Sequence, residues 1–193
     1  MDDLIEKLAE ALGIKAVRGS VHDVLDRFRL AAILTEPDRV IRVTGDEPLI
    51  DPEVVDYLIE KHTNSSCEYT TNQIERTYPR GLDVEVIELS ALEKCWHLTA
   101  DRDDHEHVTT YIRDHQELFK IQNIKAKPNH ARPKWRLCLD TKEDYKAISA
   151  IYDNLYNGKA ISLTEVIVFL DNHPEIIALN NMVEQSRVRG RVY

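Results

Sequence analysis

Two aspartates stand where apolar segments give way to helix-start signals. In VIRVTGDEP, Asp46 follows the strand-like run VIRVTG. In KWRLCLDTKED, Asp140 follows the strand-like run KWRLCL. Ligands of open α/β sheets bind beyond the carboxyl ends of the strands, where carboxylates can hold Mg²⁺ together with substrate phosphates. Either aspartate alone could instead be a solvated turn residue or a helix cap. The repeated arrangement favours a shared magnesium site, and Gly45 is expected to permit a tight turn before Asp46.

A third polar segment, TYPRGLDVEVI, combines a turn with a strand. Arg80 offers a fork of donors that suits a carboxylate or a phosphate. Asp83 and Glu85 are predicted to alternate outward on the following strand. The alternative interpretation is a hairpin turn followed by a solvated strand face.

Other kinds of site find little support in the sequence. His105 and His107 lie two residues apart, so they do not share a helix face, and no third zinc ligand stands at the usual spacing. No serine or cysteine occupies a recognisable nucleophile motif. The six glycines form neither a Walker loop nor a dinucleotide fingerprint.

The composition is that of an ordinary globular protein, with 42% apolar and 31% charged residues in 193. A formal net charge of −9 disfavours a general nucleic-acid binder. No segment approaches the ~20 apolar residues that span a bilayer, so no membrane association is expected. The acidic N-terminus lacks the features of a signal peptide, and the three cysteines form no CxxC pair. These features predict a cytoplasmic protein.

Strand-like and helix-like segments alternate along the chain. The predicted strands are 14–19, 39–45, 67–72, 82–89, 119–126 and 134–140. Helices are predicted to begin at Ser20 with Asp23, Asp51 with Pro52, Ser90 with Glu93, Thr141 with Asp144, and Ser162 with Glu165, and a further helix covers 104–115. The alternation predicts a three-layer α/β/α fold with a mostly parallel sheet over residues 1–158. Residues 159–193 are predicted to form a helical appendage and tail.

Five segments in order, RGSVHDVLDRF, RVTGDEPLIDPEVVD, TYPRGLDVEVI, HEHVTTYI and KWRLCLDTKEDY, resemble the cytidylyltransferase-type nucleotidyltransferases, specifically the spore coat polysaccharide biosynthesis protein F group. The resemblance implies a Rossmann-like fold of the nucleotide-diphospho-sugar transferase type. It also implies that a sugar hydroxyl attacks the α-phosphate of a nucleoside triphosphate, with CTP expected, and that pyrophosphate leaves. The implied site comprises Asp46 and Asp140 as Mg²⁺ ligands, Gly19, Ser20 and Arg27 on the nucleotide side, and Arg80, Gly81, Asp83 and Glu85 on the sugar side.

The chain departs from this family pattern at its N-terminus. MDDLIEKLAEALGIKAVRGS aligns with the interior of the family, so the first strands and the loop of the type Q-A-R-x-G-S-x-R-L-P-x-K are missing. A sheet without its central strands exposes an edge that invites self-association, and a homodimer is expected. Two alternatives therefore accompany the enzyme hypothesis. One is an inactive shortened homologue that binds a sugar or a protein, and the other is a hydrolase that uses the paired carboxylates.

Overall fold

The computed structural model describes residues 2–185. Its sheet contains β1 (Arg39–Arg42), β2 (Tyr69–Thr71), β3 (Glu85–Glu88) and β4 (Ile121–Asn123), in the order β1-β3-β2-β4. The α-helices are α1 (Asp2–Ala11), α2 (Val24–Thr35), α3 (Pro52–Thr63), α4 (Leu89–Leu98), α5 (Arg102–His107), α6 (Thr110–Asp114), α7 (Lys142–Leu155), α8 (Leu163–Asn172) and α9 (Pro174–Ala178), and a 3₁₀ helix covers Pro128–His130.

The sheet is mixed, whereas the sequence predicted a mostly parallel one. β3 runs antiparallel to both β1 and β2, and β2 runs parallel to β4. Residues 72–84, which join β2 to β3, contain no helix. A parallel pair usually needs a helical crossover, so this connection favours the antiparallel arrangement.

Helices cover both faces of the sheet, which confirms the α/β class. On one face Val86 packs in an apolar cluster with Val54 and Leu58 of α3. On the other face its neighbour Ile87 packs with Leu25 of α2 and Leu92 of α4. Successive side chains of a strand point to opposite faces, so β3 contributes to two cores at once.

The α8 helix packs into the first of these two cores. Leu163, Val166 and Leu170 recur at helical spacing and join the cluster that contains Leu58. The division of the chain into 1–158 and 159–193 stays a prediction, and residues 186–193 lie outside the described part. Among the helices of residues 2–185, none combines the length and apolarity that crossing a bilayer demands.

Three of the predicted helix starts are confirmed by cap geometry. The Asp51 carboxylate accepts the N–H of Glu53 at 2.8 Å, and Pro52 opens α3. Thr141 with Asp144, and Ser162 with Glu165, form reciprocal capping boxes. These caps pair the N–H groups that have no partner inside the helix.

Two other helix starts are displaced from their predicted positions. The α2 helix is capped by Asp23 rather than Ser20, because the Asp23 side chain accepts the N–H of Asp26 at 2.8 Å. The α4 helix begins at Leu89, directly after β3, and Ser90 lies inside it. The predicted helix over 104–115 is divided in two at Val108, whose φ of +66° is incompatible with a continuous helix.

Two predicted strands are absent from the structure. Residues 14–19 form no regular element, and residues 134–140 contribute only an isolated bridge between Arg136 and Arg80. A strand needs a continuous run of pairing with a neighbour, and local residue preferences alone did not reveal that 14–19 lacks one and that 134–140 pairs only around Arg136.

Candidate active site

A polar pocket of about 150 Å³ lies where β1 ends and β3 begins. Its acidic wall residues are Asp46, Glu47, Asp83 and Asp140, and its basic wall residues are Arg42, Arg80, His107 and Arg113. The antiparallel pairing of β1 with β3 places the loops that follow and precede these strands side by side. Both signs of charge therefore face one small volume.

A backbone hydrogen bond joins the two loops that carry Asp46 and Asp140. The N–H of Leu139 donates to the carbonyl oxygen of Asp46 at 2.8 Å. Both aspartates line the pocket, although they lie 94 residues apart in the sequence. The structure thus brings together the two carboxylates that the strand-end pattern singled out.

Arg136 holds the Asp140 loop in place from behind. Its Nη2 donates to Asp140 Oδ2 at 2.6 Å, and its Nε donates to Asp144 Oδ1 at 2.8 Å. Asp144 also accepts the amide of Asn180 and the N–H of Thr141. Burial alone would raise the pKa of Asp144, but these donors together lower it to about 2. Asp144 is therefore an ionised anchor for the loop.

Cys138, Asp140 and Asp144 have ligand atoms within 4.8 Å of one another. Asp144 is a poor metal ligand because both of its oxygens already accept hydrogen bonds. Burial raises the pKa of the Cys138 thiol to about 12, so the thiol stays protonated at neutral pH. Cys138 also lines the pocket but is buried, so Asp140 is the one exposed member of these three residues.

Glu47 is a buried carboxyl on the pocket wall whose importance the sequence did not reveal. Its Oε1 accepts the N–H of Asp83 at 3.3 Å, while its buried Oε2 has no hydrogen-bond partner. Burial raises the pKa of Glu47 to about 9, and the nearby carboxylates of Asp83 and Asp46 make smaller contributions in the same direction. An unpartnered carboxyl oxygen beside two further carboxylates fits a divalent cation that prefers oxygen ligands.

Glu85 is fully buried, so the predicted outward orientation of its side chain is wrong. It stands directly opposite Arg42 in the β1–β3 register and pairs with it. Its carboxylate also accepts the hydroxyls of Thr109, at 2.5 Å, and of Tyr69. Burial would raise the pKa of Glu85, but Arg42, Arg113 and the two hydroxyls lower it overall. Glu85 does not line the pocket and supports Arg42, which does.

Asp83 and Arg80 both lie on the pocket wall, as the turn between them suggested. The two oxygens of Asp83 accept from the Nη1 and Nη2 of Arg76 at 2.5 and 2.8 Å. Burial lowers the pKa of Arg80 from its ordinary value, and the positive charge of the neighbouring Arg76 contributes in the same direction. Their assignment to the sugar side stays a prediction.

Gly81 allows the Arg80 turn to lie against the backbone of Leu137 and Cys138. Its φ is +95°, and a Cβ placed there would lie 2.4 Å from the carbonyl carbon of Leu137. Only glycine fits both the backbone conformation and the close approach. Gly45 differs, because its backbone is not in the left-handed region and a Cβ there would meet nothing within 4 Å. The predicted turn is present at residues 45–46, but its backbone does not require glycine.

Gly19, Ser20 and Arg27 do not line this pocket. A Cβ on Gly19 would approach Arg27 Cγ to 2.7 Å, and Arg27 borders a separate, mainly apolar groove with Phe28. Their place on the nucleotide side stays a prediction. His107 lines the pocket, whereas the Nδ1 of His105 lies 2.8 Å from Asp23 Oδ2.

Arg42 and Arg113 are pocket residues that sequence reasoning missed. Arg113 Nη1 donates to Gln73 Oε1 at 2.6 Å, and both side chains face the pocket. One signal was present in the sequence: a glutamate in the apolar strand around Glu85 requires a buried cation. The register that identifies this cation as Arg42 depends on strand pairing, which the sequence pattern did not give.

The mixed sheet with helices on both faces and a polar pocket at the strand ends defines an α/β protein. The sequence matches the model of the cytidylyltransferase family over residues 1–172, and the chain belongs to that family. It is similar to the spore coat polysaccharide biosynthesis protein SpsF of Bacillus subtilis, with 35% identity over 90% of this chain and 72% of that protein.

Two further relatives extend this comparison. An uncharacterised protein of Methanocaldococcus jannaschii is 33% identical over 97% of this chain and 76% of its own length. The solved structure of a cytidylyltransferase from Leptospira borgpetersenii serovar Hardjo-bovis superposes with a TM-score of 0.86 and 30% identity, covering 97% of this chain and 76% of that one. The latter comparison supports the fold and the family together.

Proposed function

We propose that this protein transfers a nucleoside monophosphate from CTP to a sugar in the synthesis of a surface or spore coat polysaccharide, in a Mg²⁺-dependent reaction that releases pyrophosphate. The family supports nucleotidyl transfer, and the name of the Bacillus relative supports the polysaccharide context. The observation that carries the proposal is the shared pocket of Asp46 and Asp140, joined through the Leu139–Asp46 backbone bond.

Asp46 and Asp140 are the residues that would hold Mg²⁺. The cation would neutralise phosphate charge and help to position the α-phosphate for attack. The unpartnered oxygen of Glu47 and the carboxylate-rich wall around it fit this interpretation. Asp140 is oriented by Arg136, whose guanidinium it shares with the buried Asp144.

The basic wall of the pocket complements the acidic wall. Arg42 is positioned by the buried Glu85, and Arg113 by the half-buried Gln73. Cationic donors fixed before the substrate arrives stabilise the charge that develops on phosphate oxygens in the transition state. Because phosphoryl and nucleotidyl transfer depend mainly on positioning and charge, this wall supplies what the chemistry needs.

The test combines activity with cation binding. Pyrophosphate release is measured with CTP, a panel of sugars and Mg²⁺, and Mg²⁺ binding is measured by isothermal titration in the presence of CTP. We expect Asp46→Asn and Asp140→Asn each to lower the rate at least ~100-fold, since each removes one of the charged ligands. Circular dichroism should show an unchanged fold, because neither side chain belongs to an apolar core.

The matched control is Asp171→Asn, which removes an exposed carboxylate paired with Arg132 outside the pocket. It should leave both rate and cation binding unchanged. No binding of CTP with Mg²⁺ by the native chain would favour an inactive homologue that binds a sugar or a protein. Product formation from a sugar ester without CTP would instead favour a hydrolase.

We propose further that the protein works in the cytoplasm as a homodimer. The three cysteines are unpaired, as is typical of a reducing compartment, and this supports the location. The open edge of β1 supports self-association, since within residues 2–185 β1 pairs with β3 alone.

A further inference from the structure

The loop that carries Asp46 contains no regular secondary structure. Residues 43–51 join β1 to α3 and form neither strand nor helix. Within the loop, the N–H of Glu47 donates to the Thr44 carbonyl oxygen at 3.3 Å, and the N–H of Ile50 donates to that of Glu47 at 3.0 Å. These turn bonds shape the loop but do not fix its place in the molecule. The position of the Asp46 side chain therefore depends on what holds the loop from outside.

Two long-range hydrogen bonds attach this loop to the helices α7 and α8. The hydroxyl of Tyr152, on α7, donates to the carbonyl oxygen of Pro48 at 2.6 Å. The N–H of Leu163, which begins α8, donates to Asp51 Oδ2 at 2.6 Å. Leu49 lies between the two attachment points and is buried in the apolar cluster to which both helices contribute. The loop is thus held against α7 and α8.

The α7 helix also stands behind the other aspartate, Asp140. Its first turn contains Asp144, which shares the guanidinium of Arg136 with Asp140. Asp144 Oδ2 also accepts the N–H of Asp140 at 3.1 Å. Tyr152 lies eight positions after Asp144, which corresponds to about 12 Å along an α-helix. One helix therefore contacts both loops, the Asp140 loop at its beginning and the Asp46 loop nearer its end.

We propose that Tyr152 is a positioning residue, which sets the Asp46 carboxylate at the separation from Asp140 that a shared cation requires. The inference rests on the proposed role of these two aspartates as cation ligands. Mg²⁺ demands nearly ideal octahedral geometry, so a small displacement of one ligand weakens the site. Tyr152 does not line the pocket, and it acts through the backbone two residues from Asp46.

The hydroxyl of Tyr152 and its ring serve different purposes. Within residues 2–185, no backbone N–H donates to the Pro48 carbonyl oxygen, so the hydroxyl supplies its donor. The ring packs against the apolar cluster that contains Leu58 and Ile151. Tyr152→Phe keeps the ring and removes the donor, which separates the position of the loop from the packing of the core.

The first test is hydrogen exchange, which needs neither cation nor nucleotide. The N–H of Leu139 donates to the Asp46 carbonyl oxygen at 2.8 Å, so its exchange reports the contact between the two loops. We expect Tyr152→Phe to speed this exchange roughly 3- to 10-fold relative to the amides of β3, since one hydrogen bond is lost. The matched control is Tyr145→Phe on the same helix, because Tyr145 is 64% exposed. The control should exchange like the native chain.

The second test is cation affinity, measured with Mn²⁺ alone by electron paramagnetic resonance. Carboxylate oxygens suit Mn²⁺ as they suit Mg²⁺. Tyr152→Phe should weaken Mn²⁺ binding by a factor similar to the change in exchange. Ile151→Val is the control for lost stability, because it trims a completely buried side chain beside Tyr152. This variant should unfold more easily but bind Mn²⁺ like the native chain.

Three results would overturn the proposal. One is native exchange of the Leu139 amide in Tyr152→Phe, and another is faster exchange without any loss of Mn²⁺ affinity. The third is an equal loss of Mn²⁺ affinity in Ile151→Val, which would assign the effect to stability. A native chain that binds no Mn²⁺ would instead refute Asp46 and Asp140 as ligands, and exchange at Leu139 would still decide whether Tyr152 holds the loop.

Discussion

The ion pair beside the pocket and the ion pairs of the α1 helix differ in burial. Beside the pocket, Glu85 is completely buried and the Arg42 side chain is 18% exposed. At α1, Arg18 is 52% exposed and its partners Asp3 and Glu6 are 75% and 48% exposed. Both regions use arginine to hold carboxylates, but only the pocket removes the charges from water.

The difference indicates what each set of charges does. A buried ion pair is weak evidence for stability, because desolvation offsets much of the attraction, but it becomes costly to break. Such pairs fix the guanidinium groups at the pocket before any ligand binds. Exposed pairs contribute little and are screened by salt, so those of α1 add little to stability.

The largest effect should come from Arg42→Ala. It leaves the carboxylate of Glu85 buried without its main cation, which should lower the free energy of unfolding by roughly 3–5 kcal/mol. The matched control is Arg39→Ala on the same strand, whose partner Glu88 is 30% exposed and can be hydrated. Urea unfolding should show a loss of about 1 kcal/mol or less for the control. Equal losses would show that burial does not distinguish the two pairs.

An intermediate effect is expected for Asp144, the anchor of the Asp140 loop, and it should depend on pH. Its folded pKa of about 2 lies below the ordinary value of 3.8, so its stabilisation is complete above pH ~4 and is lost as pH falls toward 2. The shift corresponds to about 2 kcal/mol. The unfolding free energy of the native chain should therefore fall over this range.

The variant Asp144→Asn isolates this contribution. It should be less stable than the native chain at pH 6, and the difference should shrink as the pH is lowered toward 2, in urea unfolding series at matched ionic strength. Asp171→Asn, which removes an exposed carboxylate, should follow the native curve throughout. A constant difference between the native chain and Asp144→Asn would show that the side chain acts by packing alone.

The sequence predicted part of the local structure. The capping boxes at Thr141 and Ser162 and the Asp51 cap were correct because each joins residues within one turn. The same local pattern at Ser20 and Ser90 did not give a helix cap. The α/β class followed from alternating periodicities. The predicted parallel direction of the strands and the predicted strand at residues 14–19 were wrong. Both depend on pairing partners far away in the chain, which residue preferences do not encode.

The candidate site was predictable to the same extent. The strand-end rule identified Asp46 and Asp140, which the structure places on one pocket, but their role as cation ligands stays a prediction. Arg42 and the unpartnered oxygen of Glu47 emerge only from register and burial. Alternation along β3 predicted that the Glu85 side chain points to solvent. The side chain is buried instead, on the face of β3 where Ile87 packs against α2 and α4.

The smallest effect should come from Arg18→Ala, which removes the partner of Asp3 and Glu6. Its two ion pairs are exposed, so the unfolding transition of the core should not move measurably in urea. The helical signal of the chain in circular dichroism should fall slightly at low ionic strength, because Asp3 and Glu6 of α1 lose their cation. The difference from the native chain should disappear once salt screens the carboxylates. A deficit that persists at high salt would mean that Arg18 contributes packing contacts, not charge, to α1.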